Sequence, residues 1–118
     1  MAAGAPGALA QSAPPLPAPA RDGYPAAIDG LIYKDAATGT ILYVETDGRH
    51  VVAISPEGNI LWRKDPFIEG GLQPYRMARP TIAFIGDARG GTVGIRFTSS
   101  QFGEIDIATG AFRFLGQD

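Results

Sequence analysis

Apolar and polar residues alternate along most of the chain from Leu31 onward, and the apolar positions are rich in Ile, Val, Phe and Tyr. Alternation at period two places successive side chains on opposite faces of an extended segment, which is the pattern of a β-strand. We therefore expect an all-β fold of about eight short antiparallel strands joined in hairpins, as two small sheets or a sandwich. The predicted strands cover residues 30–35, 40–46, 50–55, 59–64, 81–86, 92–98, 102–107 and 111–116.

The connections between these strands carry turn residues, and one of them is repeated. The motif D-x-A-T-G occurs at residues 35–39 and again at 106–110. In each copy an aspartate ends one strand and a glycine precedes the next, where the positive φ of a hairpin turn or bulge favours glycine. We interpret the repeat as hairpin structure. The alternative, a cation bound by Asp35 and Asp106, is disfavoured because calcium takes six or more oxygen ligands.

Three glycines, Gly39, Gly58 and Gly110, are each followed by an apolar residue two positions on and an aromatic residue four positions on. Side chains two apart share one face of a strand, so each pair is predicted to contribute to a core layer. The pairs are Ile41 with Tyr43, Ile60 with Trp62, and Phe112 with Phe114.

The first 23 residues differ from the rest, because they are almost entirely Ala, Pro, Gly and small polar types. Such a segment has few large side chains to bury and cannot offset the entropy of ordering its backbone. We predict an extended Ala/Pro-rich arm over 1–23 and a single antiparallel β domain over 24–118. The arm is expected to lie across a partner protein, with contacts from Pro14, Pro15, Leu16, Pro17 and Pro19. Alternatively, Ala8 and Ala10 mark the end of a secretory signal.

Composition and charge disfavour several classes of site and function. The chain has 118 residues, a formal net charge of -2 and no cysteine, which excludes disulfides and thiolate metal sites. A strongly basic face, usual in proteins that bind nucleic acid, is not expected from this balance. No apolar run approaches the roughly 20 residues that span a bilayer. We expect neither direct nucleic-acid binding nor a membrane span.

Catalytic residues are not evident in the pattern. His50 is the only histidine and follows a turn, where a half-buried structural role is expected. Glu104 and Asp106 flank Ile105 in the polar-out alternation of a strand. The glycine-rich stretch at 86–94 lacks the GK[ST] ending of a phosphate loop and is predicted to be a hairpin. The protein is therefore predicted not to be an enzyme and to hold no cofactor or metal.

The segment 65–80 interrupts the strand pattern with three prolines and a Gly-Gly pair. Long loops in compact domains often provide contact surfaces. Its aromatic and Arg residues make Phe67, Tyr75, Arg76 and Arg79 candidates for partner binding, since these types are enriched at interfaces. The alternative is a crossover whose apolar residues pack onto the core. With Arg89 and Arg96, the loop arginines also form a predicted basic patch.

The stretch "VVAISPEGNILWRKDP" at 51–66, together with the two D-x-A-T-G turns, resembles the repeats of quinoprotein-type β-propellers. The likeness covers about residues 35–66 and 106–115, and it implies blade-like antiparallel sheets as a third possible form of the fold. Propellers have four or more four-stranded blades, whereas this chain can supply two at most. Quinone-dependent chemistry is therefore not transferred to any residue.

A small cysteine-free β domain with an extended arm resembles the accessory proteins of phage virions, such as capsid decoration, fibre and head-to-tail connector proteins. That resemblance implies a non-enzymatic structural or interaction protein, present in several copies, whose partners are protein subunits of the same assembly. It would be found in the virion or in solution. The alternative is a periplasmic or secreted β-rich binding module in which the loop 65–80 shapes a ligand site.

Overall fold

A computed structural model describes residues 24–75 and 78–117. The predicted arm over 1–23 and the loop residue Arg76 lie outside the described residues. The fold is all-β, as expected, and each of the eight predicted strands is present within a few residues of its predicted bounds. The strands are β1 (Ala27–Lys34), β2 (Ile41–Glu45), β3 (Val51–Ile54), β4 (Ile60–Lys64), β5 (Ile82–Arg89), β6 (Thr92–Phe97), β7 (Gln101–Asp106) and β8 (Phe112–Gln117).

The strands form two four-stranded antiparallel sheets, and in each sheet the strand order follows the chain. The first sheet contains β1 to β4, and the second contains β5 to β8. Every neighbouring pair is therefore a hairpin, which short turns can connect without crossovers. A single helical turn, α1 (Pro66–Glu69), lies between the two sheets in the sequence.

One face of each sheet contributes to a shared core. In the first sheet these residues alternate along β2 and β3, and in the second along β6 and β7, as period-two burial requires. The buried members include Leu42, Val44, Val51 and Trp62 from the first sheet and Val93, Ile95, Phe97 and Ile105 from the second. The opposite faces of the two sheets consequently point away from each other.

Two polar contacts join the sheets at this core. The indole N–H of Trp62 donates a hydrogen bond of 2.8 Å to the carbonyl of Ile107. The backbone N–H of Ile82 donates one of 2.7 Å to the carbonyl of Gly48. Since buried polar groups are costly when unpaired, these bonds favour one relative placement of the sheets.

The repeated motif forms two hairpin turns of the same design, so the structural interpretation is confirmed. The Asp35 carboxylate accepts hydrogen bonds from the backbone N–H and the hydroxyl of Thr38, at 3.1 and 2.6 Å. The Asp106 carboxylate accepts from the amides of Ala108 and Thr109, at 2.9 and 3.1 Å. The closing glycines have φ of 77° at Gly39 and 82° at position 110, a region that L side chains rarely adopt.

The predicted core pairs require a correction at Ile60 and Phe114, which are 43% and 42% exposed. A β-bulge separates the pairs Ala53–Trp62 and Ile54–Ile60. A one-residue register shift reverses the faces of a strand, so Ile60 and Trp62 do not share one. Phe114 lies on β8, at the edge of the second sheet, opposite Gly103, which has no side chain to cover it.

The loop between the sheets begins with α1. The Asp65 carboxylate accepts a hydrogen bond from the Ile68 N–H, and Pro66 occupies the first turn, where its missing N–H is not needed. Phe67 is 4% exposed and meets Phe97 edge to face at 5.5 Å. The Phe67 ring is therefore part of the core, as the crossover alternative expects, and partner binding by Phe67 stays a prediction.

A second apolar cluster lies on the outer face of the first sheet. Tyr43, Val52 and Ile54 are fully buried there, and Tyr24 and Ala27 pack against them. The Tyr43 hydroxyl donates a 2.7 Å hydrogen bond to the carbonyl of residue 25. The described chain therefore begins against the outer face of the first sheet.

Stability at high pH is expected to depend on Tyr43. Burial, followed by the nearby Glu45 carboxylate, raises the pKa of Tyr43 to about 12 from 10.0. Because the folded-state pKa is raised, the stabilising effect is complete below pH 10 and disappears as the pH rises towards 12. The free energy of unfolding should fall across that window.

Urea unfolding at a series of pH values tests this dependence. Tyr43→Phe should flatten the decline above pH 10, while costing about 1 kcal/mol at neutral pH through loss of the hydroxyl hydrogen bond. An equally steep decline in the phenylalanine variant would contradict the assignment to Tyr43.

Candidate interaction surface

The outer face of the second sheet carries an exposed apolar surface. Three side chains lie side by side on neighbouring strands of this face: Phe84 on β5, Arg96 on β6 and Phe102 on β7. Phe84 is the cross-strand partner of Arg96, and Arg96 is the cross-strand partner of Phe102. On β8, Leu115 borders the same face and is 49% exposed. Phe84 is 42% exposed. Along their strands these residues alternate with the core residues. Their side chains therefore lie on the face of the sheet that points away from the shared core.

Gly94 lies on the floor of this surface, and the glycine paired with it on β5 is covered by the Phe84 ring. Gly86 and Gly94 are paired partners on β5 and β6, and Gly94 is paired in turn with Glu104 on β7. The absence of a side chain at Gly94 leaves a concavity of about 340 Å³, which aromatic and charged side chains surround. We call this concavity the glycine groove. It is lined by Phe84, Phe102, Leu115, Arg96, Asp87 and Glu104, among others.

The aromatic side chains of the glycine groove lie over glycines. A Cβ atom at Gly86 would lie 2.8 Å from the Phe84 ring, and one at Gly116 would lie 3.2 Å from the Phe102 ring. Aromatic residues that cover a glycine in this way protect its backbone and are themselves held in place. The Arg96 guanidinium lies 5.1 Å from the centre of the Phe102 ring, within cation–π range. The groove therefore presents rings whose positions are restrained before a partner binds.

Charges of both signs surround the apolar centre. A bulge between Gly86 and Arg89 brings Asp87 to the rim with a φ of 55°, which is uncommon outside glycine but tolerated by aspartate. The Arg113 guanidinium donates a 2.5 Å hydrogen bond to the Glu104 carboxylate. An apolar centre with a polar rim is the usual arrangement of a protein interface.

The described residues predicted to bind a partner do not line this groove. Arg79 lies on a separate depression beside Asp47, and Tyr75 is half-buried in the loop after α1. Of the predicted basic patch, Arg89 and Arg96 do line the groove, whereas Arg79 does not. The contacts predicted for Pro14, Pro15, Leu16, Pro17 and Pro19 lie outside the described residues and stay predictions.

Sequence reasoning missed Phe84, Phe102 and Leu115. A usable signal was present, because Phe102 occupies the polar phase of β7, in line with Glu104. A large aromatic residue on the solvent side of a strand, next to glycines on neighbouring strands, indicates a contact surface. The strand pairing was needed to bring these residues together.

A three-residue cluster at the β2–β3 turn offers ligand atoms that lie within 4.8 Å of one another, from Glu45, Asp47 and His50. Both Glu45 oxygens accept hydrogen bonds from Arg63. Asp47 accepts from the amides of Arg49 and His50, at 2.8 and 3.0 Å, and its second oxygen lies 2.6 Å from the His50 ring. These groups pair with the protein itself, which fits the turn role expected of His50.

The electrostatics of this turn agree with that interpretation. Burial raises the pKa of Asp47, but the two amide hydrogen bonds and the contact with the His50 ring outweigh it and lower the pKa to about 2. Hydrogen bonds that favour a charged carboxylate also stabilise the turn that supplies them. The cluster is therefore explained by the structure of the hairpin.

The two D-x-A-T-G turns line one further depression, of about 470 Å³. Asp35 and Asp106 both border it, a proximity that the sequence repeat alone did not establish. Each carboxylate accepts two hydrogen bonds from its own turn, as described above. The turns therefore provide structure at this end of the sheets.

Comparison of the sequence with protein families and curated proteins does not assign a function. The sequence matches no known protein family and has no significant match to a curated protein. Within the described residues, no helix has the length and apolar character needed to cross a membrane.

Proposed function

We propose that this protein is a non-enzymatic interaction protein that occurs in several copies in a larger assembly and associates through the glycine groove. The observation that carries the proposal is the exposure of Phe84 and Leu115 around a concavity whose floor includes Gly94. Isolated exposed apolar residues are ordinary on protein surfaces. A group that is apolar, concave and rimmed by charge is characteristic of a binding surface.

The composition of the groove also supports a protein partner. Aromatic and Arg side chains are enriched in the centres of protein interfaces. The groove contains three of them, Phe84, Phe102 and Arg96. Full burial of an apolar side chain such as Leu115 is worth about 1.5–3 kcal/mol. Gly94 lets a partner backbone approach the sheet closely, since no Cβ stands in the way.

The architectural likeness to virion accessory proteins makes a virus particle the first assembly in which to look for this chain. The periplasmic binding module has less support. Its ligand site would be shaped by the loop 65–80, yet Pro66 and Phe67 of that loop are buried in the core.

Leu115→Glu provides a direct test. A carboxylate on the β8 wall of the glycine groove would have to lose its hydration on association, so self-association should weaken by at least about tenfold. The matched control is Leu61→Glu, because Leu61 is 47% exposed but lies on β4 of the first sheet. Both substitutions are at exposed positions and should leave the fold intact.

Absolute mass measured by light scattering on a sizing column, over a range of loading concentrations, provides the result. We expect wild type and Leu61→Glu to form the same oligomer. For Leu115→Glu we expect the association equilibrium to shift towards the monomer. The proposal is overturned if wild type is monomeric at every concentration, or if the two glutamate variants behave alike. Far-UV circular dichroism on each sample confirms that the strands are retained.

A further inference from the structure

We propose that the glycine groove of one copy binds the proline-rich segment 13–20 of a second copy. The inference rests on the proposed function and names the partner at that surface. It makes the N-terminal arm the occupant, in a head-to-tail arrangement of identical chains.

The chemistry of the segment suits an aromatic groove. Residues 13–20 read APPLPAPA and contain a P-x-x-P spacing from Pro14 to Pro17. Such segments favour the polyproline-II conformation, which has no internal hydrogen bonds and is already extended before binding. Proline-rich ligands of this kind dock in grooves lined by aromatic side chains. Phe84 and Phe102 supply two such rings on one face of the second sheet.

The dimensions agree as well. Eight residues in polyproline II extend about 25 Å, at about 3.1 Å per residue. Four strands spaced about 4.8 Å apart span about 14 Å between the outer two. The segment can therefore cross the whole outer face of β5 to β8, from Phe84 on β5 to Leu115 on β8.

Charge complementarity supports the same pairing. Arg21 is the only basic residue among residues 1–23 and directly follows the proline-rich segment. Asp87 is exposed on the rim of the glycine groove. An ion pair at the end of an apolar segment adds little affinity but selects one direction of binding.

The position of Tyr24 favours a second copy over the same chain. Tyr24 and Ala27 pack on the outer face of the first sheet, whereas the glycine groove is on the outer face of the second. The two faces point away from each other across the shared core. A chain that bound its own segment would have to pass round the body, while a neighbouring copy can present its segment directly. A contact of this kind is heterologous and builds rings or open filaments.

The first test compares full-length chains by light scattering. Replacing Pro14, Pro15, Pro17 and Pro19 with glycine removes the polyproline-II preference without changing charge. We expect self-association to weaken at least about tenfold, as for Leu115→Glu, and combining both sets of changes to add nothing further. Mixing the two variants should give a one-to-one complex, because the Leu115→Glu chain retains a segment and the glycine variant retains a groove.

A labelling experiment identifies the binding face. The chain has no cysteine, so Ser12→Cys accepts a single spin label. Spin-labelled chain is mixed with isotope-labelled chain that carries no spin label, and backbone signals of the latter are recorded by NMR. We expect broadening at Phe84, Phe102 and Leu115 and none at Leu61.

The outcomes separate the two proposals. If Leu115→Glu dissociates the assembly while the glycine variant and wild type have equal mass, the segment is not the occupant, although the groove remains the interface. If the spin label leaves the groove signals of the isotope-labelled chain unbroadened, binding by a second copy is wrong. If Leu115→Glu has no effect, the proposed function itself fails.

Discussion

Replacing Trp62 with alanine is expected to lower the free energy of unfolding by about 3–5 kcal/mol, the range found for large aromatic residues in cores. Trp62 is 8% exposed and belongs to the cluster shared by the two sheets. Its indole N–H donates to the carbonyl of Ile107, in the turn that joins β7 and β8 of the second sheet. Truncation to alanine would leave a cavity and an unpaired buried carbonyl group. Both would lie at the interface between the two sheets.

Urea unfolding followed by far-UV circular dichroism measures this effect without depending on tryptophan fluorescence. Trp62→Phe is the matched variant, because it keeps a ring in the core but removes the N–H donor. Its loss should be smaller, and the difference between the variants separates ring volume from the hydrogen bond. A loss below about 1 kcal/mol for the alanine variant would contradict a central role for Trp62 in joining the sheets.

Gly103→Ala is expected to destabilise the second sheet by about 3 kcal/mol or more, at the upper end of overpacking effects. A Cβ at Gly103 would lie 2.2 Å from the backbone carbonyl oxygen of Arg113 and 2.5 Å from the Phe112 ring. A backbone atom cannot move aside as a flexible side chain can, so β8 must shift away from β7. Elsewhere in a strand the same substitution would be mildly stabilising.

Gly90→Ala is the control for this variant, because Gly90 lies in the β5–β6 turn with nothing within 4 Å of the added methyl group. Its φ of 54° is the only source of strain, worth about 1 kcal/mol. Unfolding free energies of both variants should therefore differ by about 2 kcal/mol. Equal losses would show that the contact with β8 is accommodated.

The Gly103 variant also connects stability with the proposed function. Leu115 lies on β8 and borders the glycine groove, so a displaced β8 would remove one wall of the groove. Self-association of Gly103→Ala should accordingly be weaker than that of Gly90→Ala at equal concentration. The groove depends in this way on the glycines that let β7 and β8 approach each other.

Strand content and turn design could be predicted from the sequence because both are local properties. Period-two alternation depends only on neighbouring residues, and it located all eight strands. The turn chemistry of D-x-A-T-G involves hydrogen bonds within five residues, so the roles of Asp35 and Asp106 were also accessible. The face of β4 on which Ile60 lies could not be predicted from the sequence, because a bulge relative to β3 places Ile60 on the opposite face from the one that alternation predicts.

The sequence by itself determined that the chain is all-β, where its hairpins turn, and that its first 23 residues differ in kind from the rest. Only the tertiary structure decided which residues form a surface. Phe84, Arg96, Phe102 and Leu115 come from four strands, and their proximity depends on register and bulges that no local pattern encodes. Tertiary packing likewise assigned Phe67 to the core, because burial is a property of what surrounds a side chain and not of the residue type.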